Sequence, residues 1–547
     1  MDGMNLLVFR DNAAEVAGQC LGKCLIDAVD KAARGRDREA ILNALLLAGQ
    51  VECVLADSGL ADEKARALTD AIATMLAGHF EETRPPLSDL TRQVAIGLPE
   101  LVKVSPFEGF AYYALHPMDF ADAISAQSFG SPVAVIAIRS IGTVLGAATV
   151  TALRKQGIAA TRITVRPEGH PYNRSTHFTA VQTDWIDREK QRRSSFLVVD
   201  EGPGLSGSSF LSVAEALVQT GVNCDRITLM GTRDANPNRL CAINAAQRWR
   251  QFRWTKVPSR IWQQYRGIIA LHTGAWRKTL LSPGSEWPAC WPEMEHLKFL
   301  SPDRGHLFKF DGIGHFGERV RERANAVWRS GFGPKAENAG DGMTAYEFIA
   351  GTPLERSCVS AEMLDHIAEY CAFRASEFRA DGDSGKILEQ MATFNFSQEC
   401  GGEMNLPAGS LRTASPIIAD GRMQPHEWIR GTDGRVMKVD ASRHGDDHFF
   451  PGPTDIAWDL AGTIVEWDLS GEAKAYFIEN YRRRTRDDPS ARLPQFVLAY
   501  SVFRMAYCKM AMTATQDDAD KLRLQSAYWS SRDRITTSCS AAAVSRS

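Results

Sequence analysis

The pattern of apolar and polar positions divides the chain into three parts. Residues 1 to about 95 place apolar side chains at helical spacing, most clearly over 40–56 and 64–77. We therefore predict an N-terminal helical accessory region over residues 1–98. It carries no recognisable chemistry, which leaves packing, oligomerisation or a lid as its expected roles.

Between about 100 and 235, short β-branched runs alternate with loops and helical stretches. The pattern predicts strands at 133–138, 196–199 and 226–230, and helices at 143–156 and about 207–220. Strand–loop–helix units in series predict a parallel sheet with helices on its faces, in a domain over residues 99–285. Ligands of such sheets bind at the carboxyl ends of the strands.

The rest of the chain predicts a second folded unit. Residues 286–535 read as an α+β domain with long helices near its end, and 307–310 as one of its strands. The last residues, 536–547, are small and polar, so we predict a disordered tail.

A loop rich in glycine and serine follows the predicted strand at 196–199. The strand ends in Asp200 and Glu201, and the loop contains Gly204 and the segment 206–209, just before a helix. Backbone N–H groups and the helix dipole at such a place favour a bound phosphate. Three motifs compete here: a dinucleotide fingerprint, a P-loop without its lysine, and a loop in which the two carboxylates hold a ribose diol.

The third motif resembles the loop that binds phosphoribosyl pyrophosphate (PRPP) in type I phosphoribosyltransferases. The resemblance implies that Asp200 and Glu201 hold the ribose hydroxyls as the catalytic pair, with Asp200 also near the metal. It implies that the loop binds the 5-phosphate through Gly204, Ser206, Gly207, Ser208 and Ser209. Four residues separate the acidic pair from Ser206, where the family usually has three.

Two further segments fit the same family. The loop after the strand at 133–138 would hold the pyrophosphate through Arg139, Ser140, Gly142 and Thr143. The segment 161–174 corresponds to the family's mobile loop, with Arg166, His170 and Arg174 as candidate contacts. The aromatic segment 106–113 is either a hood over the acceptor or part of the core. The implied reaction displaces pyrophosphate from PRPP by a nucleobase-like or other small acceptor with help from Mg²⁺.

The C-terminal half weakly resembles the aminoglycoside phosphotransferase and choline kinase group. The resemblance rests on a strand lysine, a helix glutamate, the segment 344–354 as a hinge, and an aspartate after a strand. It implies that Lys309 holds ATP phosphates, that Glu322 pairs with Lys309, and that Asp440 binds Mg²⁺. The fold class implied for the whole chain is α/β: a phosphoribosyltransferase-like parallel-sheet domain between an N-terminal helical region and an α+β kinase-like domain.

The kinase-like half departs from that pattern at the expected catalytic base. Arg422 stands where the family has an aspartate, and Glu427 stands in place of an asparagine. We therefore expect either a kinase-like domain without phosphoryl transfer or a different alignment of the kinase motif with this stretch. His444 and His448 are a weaker alternative, as metal ligands in a polar loop.

Composition limits the classes of partner. A formal net charge of -3 gives no overall field that would attract nucleic acid or a membrane. The eleven cysteines include no CxxC motif, which indicates reduced thiols. The N-terminus lacks the features of a signal peptide. We expect a cytoplasmic protein that acts on a small molecule, with a homodimer as the assembly its first family resemblance suggests.

The leading interpretation is a PRPP-dependent phosphoribosyltransferase fused to a kinase-like domain. Three alternatives stay open. The protein is a sensor that binds PRPP without turnover, a dehydrogenase that uses the dinucleotide fingerprint, or a phosphotransferase whose activity lies in the C-terminal half with ATP as the phosphate donor.

Overall fold

The computed structural model describes residues 6–11, 13–35, 37–60, 63–78, 86–130, 132–281 and 287–544, with side chains described as far as residue 537. Its helices are, in chain order, α1 (Gly18–Gly35), α2 (Arg38–Asp57), α3 (Glu63–Leu76), α4 (Leu87–Ile96), α5 (Glu108–Tyr112), α6 (Pro117–Ser125), α7 (Ile141–Lys155), α8 (Ala180–Gln191), α9 (Ser208–Gln219), α10 (Ala245–Trp249), α11 (Arg260–Gln264), α12 (Ala275–Leu280), α13 (His315–Arg329), α14 (Ala361–Glu377), α15 (Gly385–Cys400), α16 (Ala457–Glu466), α17 (Gly471–Thr485), α18 (Leu493–Ala514) and α19 (Asp518–Val544).

The strands are β1 (Ala14–Ala17), β2 (Leu101–Val104), β3 (Val133–Ile138), β4 (Ala160–Val165), β5 (Glu168–His170), β6 (Asn173–Ser175), β7 (Ser195–Val199), β8 (Ile227–Gly231), β9 (Arg253–Lys256), β10 (Ile269–Ala270), β11 (Lys298–Leu300), β12 (His306–Phe310), β13 (Ala336–Gly340), β14 (Met343–Glu347), β15 (Gly351–Pro353), β16 (Ile417–Ile418), β17 (Trp428–Gly431), β18 (Val436–Lys438) and β19 (Pro453–Thr454).

The N-terminal part is helical, as the apolar spacing predicts. Helices α1 to α4 pack on one another and on α7, so their apolar faces join the core of the central domain. Among the described residues, α2 is long and apolar enough to cross a membrane, but most of it is buried inside the protein. Its apolar character is therefore explained by its place in the core.

The central domain is built on the predicted parallel sheet. Its strands lie in the order β4-β3-β7-β8-β9 and all pair in parallel. Alternate side chains of β3 and β7 face opposite sides: one side packs on α7 and the N-terminal helices, and the other on α8 and α9. The chain reverses its direction of progress between β3 and β7, which is where ligands of such sheets bind.

The C-terminal half combines an antiparallel sheet with a helical part. The sheet has the order β10-β11-β12-β14-β13, and α13 packs against it. The small sheet β15-β17-β18 and helices α14 to α19 follow, around a separate apolar core. Because β10 already belongs to this sheet, the C-terminal fold begins before the predicted boundary at residue 286.

The predicted tail also differs from the structure. Helix α19 continues to Val544, so residues from 536 to 544 extend a helix rather than forming a disordered segment. Residues 545–547 lie outside the described part of the chain. The helix formers and small residues of this stretch continue the register of the preceding turns, which the composition alone does not reveal.

Candidate functional site

The two loops expected to bind PRPP lie side by side in the central domain. Strands β3 and β7 are neighbours in register, with Ala137 opposite Val199, so the loops that leave them emerge at the same edge. The fit is tight: a Cβ atom on Gly142 would lie 2.7 Å from the Val199 carbonyl oxygen and 3.6 Å from Asp200 Oδ1. Glycine is therefore required at this approach. We call this place the central site.

Burial controls the charge of the acidic pair at the central site. Loss of solvent raises the pKa of Asp200 to about 8, so this carboxyl is mostly protonated at neutral pH. Burial also raises the pKa of Glu201, although the Arg233 guanidinium, 3.0 Å away, acts in the opposite direction. Buried carboxyl groups with raised pKa values are typical of binding and catalytic sites.

The serines of the predicted phosphate loop already have a partner. The hydroxyls of Ser206 and Ser208 donate to the carbonyl oxygen of Pro171, at 2.8 and 2.6 Å. Pro171 lies at the tip of the β5–β6 hairpin, which thus covers the loop. Gly207 precedes α9 in a left-handed conformation, and the partly buried Ser209 lies in the first turn of that helix.

The other members of the two predicted segments lie around this loop. Gly204 is exposed, and His170 and Arg174 lie on the two strands of the hairpin. The backbone of Ser140 has a φ of 91°, a conformation that is strained for a residue with a side chain. The hydroxyl of Thr143 is buried and contacts the Cys53 sulfur at 3.0 Å, so it does not face the site.

Two predicted anion-binding arginines are paired with an aspartate that the sequence did not suggest. Arg139 and Arg166 both bind Asp57 at the end of α2, at 2.7 and 2.5 Å. Although burial acts against it, the pair of guanidinium groups lowers the pKa of Asp57. In this structure Asp57 engages both guanidinium groups, and the roles of Arg139 at the pyrophosphate and of Arg166 in a mobile loop stay predictions. Asp57 was missed because no local pattern links it to Arg139 and Arg166, which lie 82 and 109 positions later in the sequence.

A second candidate site lies in the C-terminal half. A cavity of about 380 Å³ separates the antiparallel sheet from the helical part, and we call it the C-terminal cleft. Its lining combines Lys309 of β12, the segment 347–351 at the end of β14, and Asp440 just after β18. Three of the kinase-like features expected from the sequence therefore meet around one space.

Lys309 and Asp440 form an ion pair in this cleft. Burial alone would raise the pKa of Asp440, but Lys309 and His444 hold it well below its usual range. Asp440 is therefore ionised, and Lys309 supplies the compensating positive charge. A lysine and an aspartate held together at the wall of a cavity are suited to bind a phosphate chain and its metal ion.

The predicted partner of Lys309 is wrong. Glu322 is exposed on α13 and does not reach the cleft, whereas its neighbour Arg323 faces inward. Arg323 donates to the Ser442 carbonyl oxygen at 2.8 Å and lies 3.2 Å from an oxygen of Asp446. One residue along a helix turns the side chain by about 100°, which moves it from the inner to the outer face.

The loop expected to carry the catalytic base is rigidly held. Asp420 is 1% exposed and accepts a hydrogen bond from the hydroxyl of Tyr370. Asp459, on α16, accepts hydrogen bonds from the backbone N–H groups of Asp420 and Gly421, at 2.8 and 2.9 Å. Arg422, at the base position, follows directly and lines the cleft. The loop therefore presents a guanidinium group where the kinase-like pattern places a carboxylate.

Two carboxylates of the C-terminal cleft would suit a magnesium ion. Asp440 and Glu427 line it with carboxylate oxygens, which Mg²⁺ prefers. In the part of the chain that the structure describes, no group of three or more His, Cys, Asp or Glu side chains is arranged to hold a metal ion. Mg²⁺ would therefore take its remaining ligands from water and phosphate oxygens, as it does in nucleotide sites.

The alternative metal site at His444 and His448 is not formed. His444 lies between Asp440 and Asp447, at 3.1 and 3.3 Å. The His448 ring instead stacks on Phe9 with a centroid distance of 5.2 Å, and burial lowers its pKa to about 4. The two imidazole rings therefore have different neighbours and do not face a common metal position.

The aromatic segment 106–113 separates the two sites. A Cβ atom on Gly109 would lie 2.8 Å from a Glu201 carboxylate oxygen, so α5 touches the central site. The ring of Tyr113 packs under the Arg233 guanidinium at 5.3 Å. On the other side, the carbonyl oxygen of Tyr112 lies 3.2 Å from Nδ1 of His296, which lines the C-terminal cleft. The segment is thus neither a simple hood nor only core: it is a wall that both sites share.

Comparison with known proteins finds a limited likeness over about half of the chain. No family model and no curated protein matches the chain. Among solved structures, a choline kinase from Streptococcus pneumoniae is 13% identical with a TM-score of 0.32, over 50% of this chain and 98% of that chain. An aminoglycoside phosphotransferase from Alicyclobacillus acidocaldarius is 11% identical with a TM-score of 0.30, over 48% and 94%.

A third similar structure is an ethanolamine kinase from Plasmodium vivax, 13% identical with a TM-score of 0.30, over 44% of this chain and 78% of that chain. The similar solved structures are thus small-molecule kinases that resemble about half of this chain. TM-scores this low carry no functional argument, and the function has to be argued from the geometry of the two sites.

Proposed function

We propose that the C-terminal half binds ATP and Mg²⁺ in the C-terminal cleft and acts as a small-molecule phosphotransferase. One observation carries the proposal: the ion pair of Lys309 and Asp440 lies at the wall of a cavity of about 380 Å³ that the segment 347–351 also lines. That volume suits a small organic ligand. The ion pair is placed to bind the phosphates of a nucleotide, and the segment 347–351 is placed to contact its base.

Each residue has a defined role in this proposal. Lys309 holds the phosphate chain as a point charge, and Asp440 and Glu427 hold the metal ion. When bound, Mg²⁺ neutralises charge that develops on the transferred phosphoryl group. Lys438 donates to Glu427 at 2.7 Å and orients its carboxylate toward the cleft. The protein's contribution is therefore position and charge rather than covalent chemistry.

Calorimetric titration with ATP tests this proposal. Wild-type protein should bind one ATP in a Mg²⁺-dependent manner, and Asp440→Asn should weaken binding about tenfold or more because it removes the ionised metal ligand. Asp200→Asn, in the other site, is the matched control and should bind ATP like the wild type. ATP binding that is independent of Mg²⁺ and of Asp440 would contradict the proposal.

A second function is favoured by a separate observation. We infer that the central site binds PRPP, because two predicted loops meet at the point where the parallel sheet reverses and because a buried acidic pair lies between them. Asp200 and Glu201 would accept hydrogen bonds from the ribose hydroxyls, and the serines of the loop 206–209 would turn from Pro171 to the 5-phosphate. Transfer to an acceptor, or sensing without transfer, would follow from that binding.

The second proposal has its own test. PRPP with Mg²⁺ should bind the wild type, and the double variant with Asp200→Asn and Glu201→Gln should bind it at least about tenfold more weakly. Asp440→Asn is here the control and should leave PRPP affinity unchanged. Release of pyrophosphate with a panel of nitrogen acceptors would distinguish a transferase from a sensor. Equal PRPP binding by the wild type and the double variant would contradict the assignment.

A further inference from the structure

Arg422 presents an unpaired positive charge to the C-terminal cleft. It is partly buried and lines the cavity, and its guanidinium packs on the Tyr507 ring at 5.9 Å. Among the described residues, no hydrogen bond or ion pair engages this guanidinium, whereas the cleft's other inner arginine, Arg504, is paired with Glu466 at 2.8 Å. The N–H donors of Arg422 are therefore available to an anionic ligand, although the carboxylates of Glu427, Asp440 and Asp447 lie near enough to act on its charge.

The carboxylates that line the cleft are not placed to act as a base for an acceptor hydroxyl. Asp440 is paired with Lys309, Glu427 accepts from Lys438, and Glu295 accepts from the Trp276 indole at 2.8 Å and from a backbone N–H group. The remaining one, Glu347, is exposed at the end of β14, three residues along the strand pair from Lys309. Three residues of strand span about 10 Å. Glu347 is therefore too far away to take a proton directly from an acceptor bound beside Lys309 and Asp440.

The histidines around the cleft do not replace such a base. The His426 ring stacks on the Trp276 indole with a centroid distance of 5.8 Å, and Nδ1 of His296 lies 3.2 Å from the carbonyl oxygen of Tyr112. His444 faces a carboxylate at each ring nitrogen, at 3.1 and 3.3 Å. Among the residues that the structure describes, the cleft therefore combines a guanidinium that makes no direct hydrogen bond with carboxylates and imidazoles that are all engaged elsewhere or distant from the Lys309–Asp440 pair.

We propose that the phosphoryl acceptor in the C-terminal cleft is an oxyanion, a carboxylate or a phosphate, which Arg422 binds. This inference rests on the proposed phosphotransferase function and specifies its substrate class. An oxyanion has no proton to lose, so the reaction needs no base. It needs a cation that holds the acceptor against the negative phosphates of ATP, and the planar guanidinium matches both carboxylate and phosphate oxygens.

The step balances without a further reagent. An acceptor oxygen forms a bond to the γ-phosphorus of ATP, the bond from that phosphorus to the β–γ bridging oxygen breaks, and ADP leaves with the electron pair. A carboxylate acceptor gives an acyl phosphate, and a phosphate acceptor gives a phosphoanhydride. The central site, on the other side of α5, is proposed to bind a phosphorylated ribose. Such a molecule carries a phosphate that could serve as the acceptor.

Binding of simple anions separates this inference from the proposal on which it rests. Protein saturated with Mg²⁺ and the non-hydrolysable analogue AMP-PCP is titrated with acetate and, separately, with inorganic phosphate. At least one anion should bind the wild type, and Arg422→Gln should weaken that binding about tenfold to a hundredfold, with Arg422→Lys in between. Arg304→Gln, an exposed arginine at the mouth of the same cavity, should change it little.

The possible results of these titrations distinguish failure of the phosphotransferase proposal from failure of the oxyanion acceptor. Failure of AMP-PCP to bind the wild type would overturn the proposed function and this inference with it. Normal AMP-PCP binding by both proteins, with no anion binding or with equal anion binding in Arg422→Gln, would overturn the oxyanion acceptor alone. Normal AMP-PCP binding by Arg422→Gln also shows that this variant is folded.

Turnover identifies which oxyanion is used. ADP formation is followed with succinate, ribose 5-phosphate and glycerol, with hydroxylamine present to trap an acyl phosphate and with ³¹P NMR to detect a phosphoanhydride. Stimulation by succinate or ribose 5-phosphate that Arg422→Gln reduces at least about tenfold, mainly through KM, supports the inference. Stimulation by glycerol that Arg422→Gln leaves unchanged would overturn it.

Discussion

Replacement of Asp200 by asparagine should stabilise the central sheet at alkaline pH and not at acidic pH. In the unfolded chain this carboxyl loses its proton near its ordinary pKa of 3.8, whereas burial keeps it protonated in the folded protein up to a pKa of about 8. Between these values the folded state binds more protons than the unfolded state, so Asp200 costs stability increasingly as pH rises. Asparagine keeps the shape of the side chain and cannot ionise.

The size of the effect follows from the same values. A group whose pKa is raised on folding contributes a slope of about 1.4 kcal/mol per pH unit between the two pKa values. From pH 5 to pH 8 the full slope would approach about 4 kcal/mol. Because Asp200 keeps some contact with solvent, we expect about 2 kcal/mol, which is still a large fraction of the stability of one domain.

Hydrogen exchange of the β3 and β7 amides measures this locally, without assuming that the whole chain unfolds as one unit. Wild type and Asp200→Asn are compared at each of pH 5, 6, 7 and 8, so that intrinsic exchange rates cancel. The protection of the variant should exceed that of the wild type least at pH 5, and the excess should grow steadily up to pH 8. Asp184→Asn, an exposed position on α8, is the control. A difference that does not grow with pH would refute the reasoning.

Three further predictions test other parts of the account. Glu52→Gln should destabilise the protein by about 3 kcal/mol in urea unfolding, because it leaves buried Arg162 with one carboxylate instead of two; an unchanged midpoint would contradict this. Asp57→Asn should raise the affinity of the central site for pyrophosphate by about fivefold in calorimetry, since it releases the two arginines that Asp57 now holds; an unchanged affinity would show that they do not face the ligand. Gly142→Ala should abolish PRPP binding while ATP binding persists, because its Cβ meets the Val199 carbonyl oxygen.

The elements of the central sheet could be predicted closely from the sequence. The run at Val133–Ile138 is the strand that the structure contains, and the predicted helices at 143–156 and 207–220 match α7 and α9 within two residues. Continuous β-branched runs and helical spacing are local signals, which explains this success. The strands β4 and β9 and the hairpin of β5 and β6 were missed, and β4 occupies the first part of the segment 161–174 that was expected to be a mobile loop. Strands that carry polar residues depend on their neighbours in the sheet.

The site residues that lie in or next to a strand could be predicted from the sequence. Their ion-pair partners, which are distant in the sequence, could not. Asp200 and Lys309 were found because each follows or lies in a strong strand pattern. The pairing of Arg166 with Asp57, and of Lys309 with Asp440 rather than with Glu322, depends on tertiary packing and on helix phase. Such contacts join segments about 100 residues apart, and no periodicity in the chain encodes them.

Photolabelling locates bound nucleotide and so tests the proposed ATP site in the C-terminal cleft. The protein is irradiated with 8-azido-ATP and Mg²⁺, digested, and the labelled peptide identified by mass spectrometry, with excess ATP as the competitor. The account predicts a label that ATP prevents, on peptides that line the cleft around 290–298 or 347–351, and a loss of labelling in Lys309→Met. Labelling of the loop at 200–209, or labelling that Lys309→Met does not reduce, would contradict it.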